Sequence, residues 1–146
     1  LGRKPLIWDN YPVNDGRKIS RFLHLAPFTG RPAEMAQLCS GHAVNPMNQF
    51  HLSMLVLPTL ADVYARGVHY DPDAAFADAI ADLPTELASL VSRDADIFQN
   101  LGLDGMSDGQ KVLLRSAYGS IDHPLAREVC EWLDELYRFD PACLTD

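Results

Sequence analysis

At Gln49 the hydrophobic period of the chain changes, and that change limits the accessible folds more than any other feature. Before it, short apolar runs are separated by turn residues. After it, apolar residues recur every three or four positions, the spacing of amphipathic helices. Pro5-Leu6-Ile7-Trp8 is short, bulky and bounded by Pro and polar residues, and reads as a buried strand. A polar loop follows, hinged at Gly16, and then the apolar run Phe22–Leu25, ended by Ala26-Pro27. Arg31-Pro32 opens a short helix with Met35, Leu38 and Cys39 on its apolar side, and His42-Ala43-Val44 is a second small strand delivering Asn45. Strand, helix, strand in that order implies a parallel pair.

From Gln49 onward the expectation is a series of helices. Phe50, Met54, Leu57 and Ala61, joined by Val56, Leu60 and Tyr64, mark the first, with Pro58 as a kink point and Gly67 as its end. Asp71-Pro72 has the order of an N-cap followed by Pro at the first helical position, and Ala75, Phe76, Ala79 and Ile80 form the buried face behind it. Leu83-Pro84 ends that helix, and Thr85 to Leu101 continues as a third. Gly102, Gly105 and Gly109 mark a loosened loop, within which Met106-Ser107-Asp108-Gly109 reads as a helix start. A helix from about Gln110 to Tyr118 then presents Val112, Leu113 and Leu114. The last helix begins at Asp122-His123-Pro124 and runs to Phe139, with Pro141 as the stop. The fold class is α/β going to mainly α: a βαβ piece, then a helical bundle.

Composition removes several functions. A net charge of −8 argues against a nucleic-acid surface or an anionic membrane. No run of about 18 apolar residues is present. With 47% hydrophobic and 22% charged residues, the 146-residue chain has the balance of a soluble globular domain, which fits the cytoplasm and the exterior equally. Leu1-Gly2-Arg3-Lys4 is not a signal peptide, and a start one step before a strand suggests a cut from something longer. Cys39, Cys130 and Cys143 are odd in number and widely spaced, and read as buried reduced thiols. His24, His42, His51, His69 and His123 show no paired-ligand spacing, so no metal or cofactor is expected. His42 reads as a core or pocket-rim histidine, and Tyr118, Trp132 and Tyr137 as core aromatics.

The chemistry concentrates between Leu6 and Asp15. Trp8 is followed by Asn10, Asn14 and Asp15 at a strand exit, where parallel α/β enzymes place their sites. An indole face stacks on the C–H side of a sugar ring, while amides and a carboxylate bond its hydroxyls. The same residue types also make an ordinary strand-to-loop turn. What separates the two readings is a pattern of three blocks. Trp8-Asp9-Asn10-Tyr11-Pro12-Val13-Asn14-Asp15, then Leu25-Ala26-Pro27-Phe28-Thr29-Gly30-Arg31, then Asn45-Pro46-Met47, resembles family 84 of the glycoside hydrolases. That family holds the protein O-GlcNAcases and bacterial β-N-acetylglucosaminidases once taken for hyaluronidases.

The resemblance implies a (β/α)8 barrel whose last two strands and helices lie in residues 1–50, with residues 51–146 a helical region after the barrel. Trp8 would help wall the pocket for the 2-acetamido methyl. Asn10 would either fix a sugar hydroxyl or orient a catalytic carboxylate. Asp15 would accept from the hydroxyls at carbons 4 and 6, through charge-assisted bonds of about 1.5–3 kcal/mol each. Asn45, held extended by Pro46, would reach the hydroxyl at carbon 3. The implied reaction is hydrolysis of β-linked N-acetylglucosamine on glycoproteins or glycans, with retention, assisted by the substrate's own acetamido group.

Three departures stand out. The family's catalytic pair is two adjacent aspartates, and no Asp-Asp dipeptide occurs in this chain. Asp71/Asp73 and Asp94/Asp96 read as capping or solvated residues. The family's glycine and lysine from earlier strands are also missing, and such a barrel needs about 250 residues. Ala26 also stands where relatives carry Gly. The chain is therefore expected to hold sugar-binding residues without a catalytic one, and to need the rest of the barrel, from the same or another chain. The rival expectation is a stand-alone helical module that binds a partner without catalysis. Open strand edges at Leu6–Trp8 and Ala43–Val44 would count against it.

Overall fold

Strand β1 (Leu6–Asp9) runs parallel to β2 (Gly41–Val44), with Leu6 opposite Gly41 and Asp9 opposite Val44, in a computed structural model that describes residues 2–137. Between them lie a 3₁₀ turn (Ile19–Arg21) and the four-residue helix α1 (Met35–Leu38). The parallel pair expected from strand–helix–strand order is present. The expectation of a buried strand is corrected: Leu6 and Trp8 are 64% and 67% exposed, because no layer among the described residues covers that face of the two-stranded sheet. Leu38, expected on the apolar side of α1, is exposed too, since four residues are too few to lay a stripe against a neighbour.

The rest is helical: α2 (Phe50–Arg66), a 3₁₀ turn (Gly67–His69), α3 (Pro72–Ile80), α4 (Thr85–Asp96), a π turn (Ile97–Leu101), α5 (Gly102–Gly105), α6 (Asp108–Gly119) and α7 (Pro124–Leu133). No helix of the described residues is long and apolar enough to cross a membrane.

The period of α2 is as read, but its buried face is rotated. Leu52, Ser53, Leu55, Val56, Thr59, Leu60 and Val63 point inward, while Phe50, Met54 and Ala61 point out. The polar members made the true face hard to see. Ser53 donates to the Gln49 carbonyl at 2.8 Å and Thr59 to the Val56 carbonyl at 2.7 Å, so both hydroxyls are satisfied within the helix and can be buried. Pro58 stands on the exposed side, and Gly67 closes the helix at φ +55°.

Asp71 caps α3 as expected, accepting from the amides of Asp73 and Ala74. The third helix is interrupted: its α-helical part ends at Asp96 and a π turn completes it to Leu101. The glycines after it form one helical turn rather than a loose loop. Ser107 and Gln110 make a reciprocal capping box at the start of α6. Val112 and Leu113 are exposed, leaving Leu114 and Tyr118 as that helix's buried residues. His123 caps α7 directly before Pro124, with its Nδ1 accepting from the Leu125 amide at 3.2 Å. The helix ends at Leu133, short of the expected Phe139. Phe139, Pro141 and Cys143 lie outside the described residues.

One apolar cluster joins both parts of the chain. Leu23, Leu25, Phe28 and Met47 share it with side chains of α2, α4, α6 and α7. Phe98, Tyr118 and Trp132 are fully buried near its centre, and the Trp132 indole N–H donates to the Ser20 carbonyl at 3.1 Å. Both helical aromatics are core residues, as expected, and Tyr137 is half-buried beside Glu131.

Candidate functional site

At the C-terminal end of β1 the pleat sends alternate side chains to opposite faces. Trp8 goes to the open face. Its indole N–H donates to Asn10 Oδ1 at 3.0 Å, so these two candidates form one unit that is exposed as a whole. Asp9 goes the other way, toward α2. Its carboxylate accepts two bonds from the Arg31 guanidinium, each 2.8 Å, and a third from His42 Nε2 at 3.1 Å. His42 Nδ1 meets the Tyr64 hydroxyl on α2 at 2.5 Å. The Arg31 guanidinium beside Asp9 holds its carboxyl below the usual carboxylate range, His42 adding to the effect and partial burial opposing it. The His42 side chain is 6% exposed, as a core or rim histidine should be.

Asn45 leaves β2 on the same level. Its amide donates to the Asp9 carbonyl at 2.9 Å, which extends the ladder by one bond and fixes where the Asn45 side chain starts. Asn45 and Asp15 are both half-buried. Asp15 enters through its neighbour: Asn14, fully buried, accepts from the Asn48 amide at 2.9 Å and donates to Gln49 Oε1 at 2.7 Å. Asn14 is therefore an internal strut and not a third polar group at the strand exit.

The middle block stitches the other two together. The Tyr11 hydroxyl donates to the Ala26 carbonyl at 2.5 Å, the His24 amide donates to the Met47 sulfur at 3.2 Å, and Arg31 lies over the rings of Tyr11 and Phe28 at 5.5 and 5.1 Å. Burial pushes the Tyr11 phenol well above its ordinary pKa, with Arg31 opposing. Ala26 is accommodated in an exposed turn, its amide donating to Gln99 Oε1. Thus three blocks far apart in sequence converge on one end of the sheet. The residues that hold them there, Asp9, Arg31, His42 and Tyr64, were not singled out as site residues from the sequence. The available signal was Asp9 itself, a charge at the inward phase of a strand that requires a buried partner.

The family model for beta-N-acetylglucosaminidase matches residues 1–98, a stretch that contains all three blocks together with Asp9, Arg31, His42 and Tyr64. The chain belongs to the β-N-acetylglucosaminidase family. Among solved structures, a mutant of the Thermobaculum terrenum O-GlcNAc hydrolase is 26% identical, with a TM-score of 0.61 over 92% of this chain and 36% of that one. The protein CpGH84B is similar in fold at 22% identity, with a TM-score of 0.65 over 92% of this chain and 29% of that one. This member of the β-N-acetylglucosaminidase family thus spans about a third of the structures it resembles. Its likeness to them reaches beyond the 98 residues of the family match, because it covers 92% of the chain.

Proposed function

We propose that this chain supplies the sugar-binding end of a retaining, substrate-assisted β-N-acetylglucosaminidase acting on N-acetylglucosamine-bearing glycoproteins or glycans. Residues 1–50 are the last βα units of a (β/α)8 barrel, and residues 51–146 are the helical region behind them. The catalytic aspartate pair comes from strands outside this chain, so the segment alone is inactive.

The observation that carries this reading is the phase of β1. Leu6 and Trp8 stand on the open face, while Asp9 with its partners faces α2. In an isolated domain that phase leaves Leu6 and Trp8 exposed to water. In a barrel the same phase sends them to the interior and its outlet, and sends Asp9 to the surrounding helices. The free edges of the two-stranded sheet favour the barrel over a stand-alone helical module for the same reason.

In the completed barrel Trp8 walls the acetamido pocket and Asp15 accepts from the hydroxyls at carbons 4 and 6. Asn45 reaches the hydroxyl at carbon 3. Asn10, bonded to the Trp8 indole, either bonds a sugar hydroxyl or orients a catalytic carboxylate. The test is Asp15→Ala in the complete enzyme, read as kcat/KM on 4-nitrophenyl N-acetyl-β-glucosaminide together with thermal melting. The expected result is a fall of about two orders of magnitude or more with a cooperative melt that shows the fold intact, since two charge-assisted bonds to the sugar are lost. Near-normal turnover would remove Asp15 from the site.

A further inference from the structure

The two loops that carry the candidate sugar ligands are joined by one buried amide. Asn14 Nδ2 donates to Gln49 Oε1 at 2.7 Å and to the Phe22 carbonyl at 3.1 Å, and its Oδ1 accepts from the Asn48 amide at 2.9 Å. Asn14 precedes Asp15 directly, and Asn48 lies three residues after Asn45. Both amide residues of the clasp are 0% exposed.

Behind the clasp stands a second tie. Two of the free N–H groups in the first turn of α2, those of His51 and Leu52, donate to the two carboxylate oxygens of Glu128 at 2.9 Å each. Glu128 lies on α7 and is 8% exposed, and its charge is held at a helix N-terminus, where it is favoured. The first turn of α2 is thus tied to α7 by Glu128 and, two residues earlier, through the Gln49 side chain to Asn14 and both loops.

We propose that Asn14 is a positioning residue of the sugar site, setting the Asp15 loop against the Asn45 loop, and that Glu128 anchors this clasp to the helical region. Apolar contact at this position could hold the loops together, but it would not fix their register. Three directional bonds from one planar amide do, and a displacement of about 1 Å in a ligand-bearing group is enough to cost large factors in rate. The proposal rests on the reading of Asp15 and Asn45 as sugar ligands.

The experiment is a mutant cycle in the complete enzyme, read as kcat/KM on 4-nitrophenyl N-acetyl-β-glucosaminide and as Ki for N-acetylglucosamine. Asn14→Ala is made alone and on top of the double variant Asp15→Ala, Asn45→Ala. A positioning residue acts through its neighbours, so Asn14→Ala should lower kcat/KM about tenfold alone and less than about twofold in the double-variant background. An equal loss in both backgrounds, or no loss in either, overturns the proposal. If the double variant itself keeps normal Ki and kcat/KM, the sugar-site reading fails, and the proposal fails with it. Should Asn14→Ala not fold, Glu128→Gln carries the same cycle. It keeps the shape of the side chain and removes one of its two acceptors. A loss of about threefold that disappears in the double-variant background supports the proposal, and an unchanged kcat/KM overturns it.

Discussion

Arg31 grips Asp9 through two parallel N–H···O bonds of 2.8 Å, and the same carboxylate lies beneath the strand exit that carries Trp8, Asn10 and Asn45. The Asp9 side chain is 12% exposed and that of Arg31 25%, so the pair is largely withdrawn from solvent without being sealed off. Replacing one partner leaves the other charge half-buried and uncompensated. Asp9→Asn should cost about 1–3 kcal/mol, visible as a lower midpoint in urea with an unchanged slope.

The same pair sets a pH dependence. The Asp9 pKa is lowered chiefly by Arg31, and that of Glu135 chiefly by Arg21. As the pH falls, the unfolded chain takes up these protons before the native one. Stability from both groups is therefore complete above about pH 5 and is lost as the pH falls through the ordinary carboxylate range toward their lowered native values. Thermal melts from about pH 7 to about pH 3 should show a shallower decline for Asp9→Asn than for the unaltered chain. Parallel curves would remove Asp9 as a contributor.

Gly102 should tolerate no side chain. It sits at φ +62°, and a Cβ there would lie 2.6 Å from the Arg21 carbonyl and 2.7 Å from the Phe22 ring. Backbone strain and a clash with main-chain atoms act together, so Gly102→Ala should lose about 2–4 kcal/mol in denaturant melts. Gly109, with open space around its Cβ position and no positive φ, is the control: Gly109→Ala should match or slightly exceed the parent stability.

Trp8 separates fold from function. It is 67% exposed in this chain, so Trp8→Ala should change the stability of the isolated segment by no more than about 0.5 kcal/mol. Under the proposed function the indole is covered by substrate in the complete enzyme, and removing it there should lower kcat/KM by about 10- to 100-fold, the worth of one buried large side chain. A large loss of stability in the isolated segment would show that Trp8 is structural.

Much of the fold was legible because it is written in local chemistry. The Asp71-Pro72 start, the Gly67 end and the helix start at Ser107 each depend on residues within one turn of one another. Strand–helix–strand order was enough for the parallel pair. The faces of the helices were less legible. Phe50 and Met54 are apolar at helical spacing yet exposed, while Ser53 and Thr59 are polar and buried, since a hydroxyl bonded to its own helix loses its need for water. The caps of α7 and α2 show the same limit at longer range. The N-cap of α7 is a histidine, and Glu128, 77 residues from His51, serves the start of α2.

By itself the sequence determined the family and most of the order of elements, because three blocks of unusual composition and the period of apolar positions are properties of the chain alone. Tertiary structure alone decided which polar residues face outward and which hold the site together. Asp9 and Asn14 read as members of the same polar block as Asn10 and Asp15. Only folding brings Arg31 and His42 to Asp9 and Asn48 and Gln49 to Asn14. The physical reason is desolvation. A buried carboxylate or amide is stable only where partners from distant segments meet it, and that meeting is set by how the elements assemble, not by the spacing of residues along the chain.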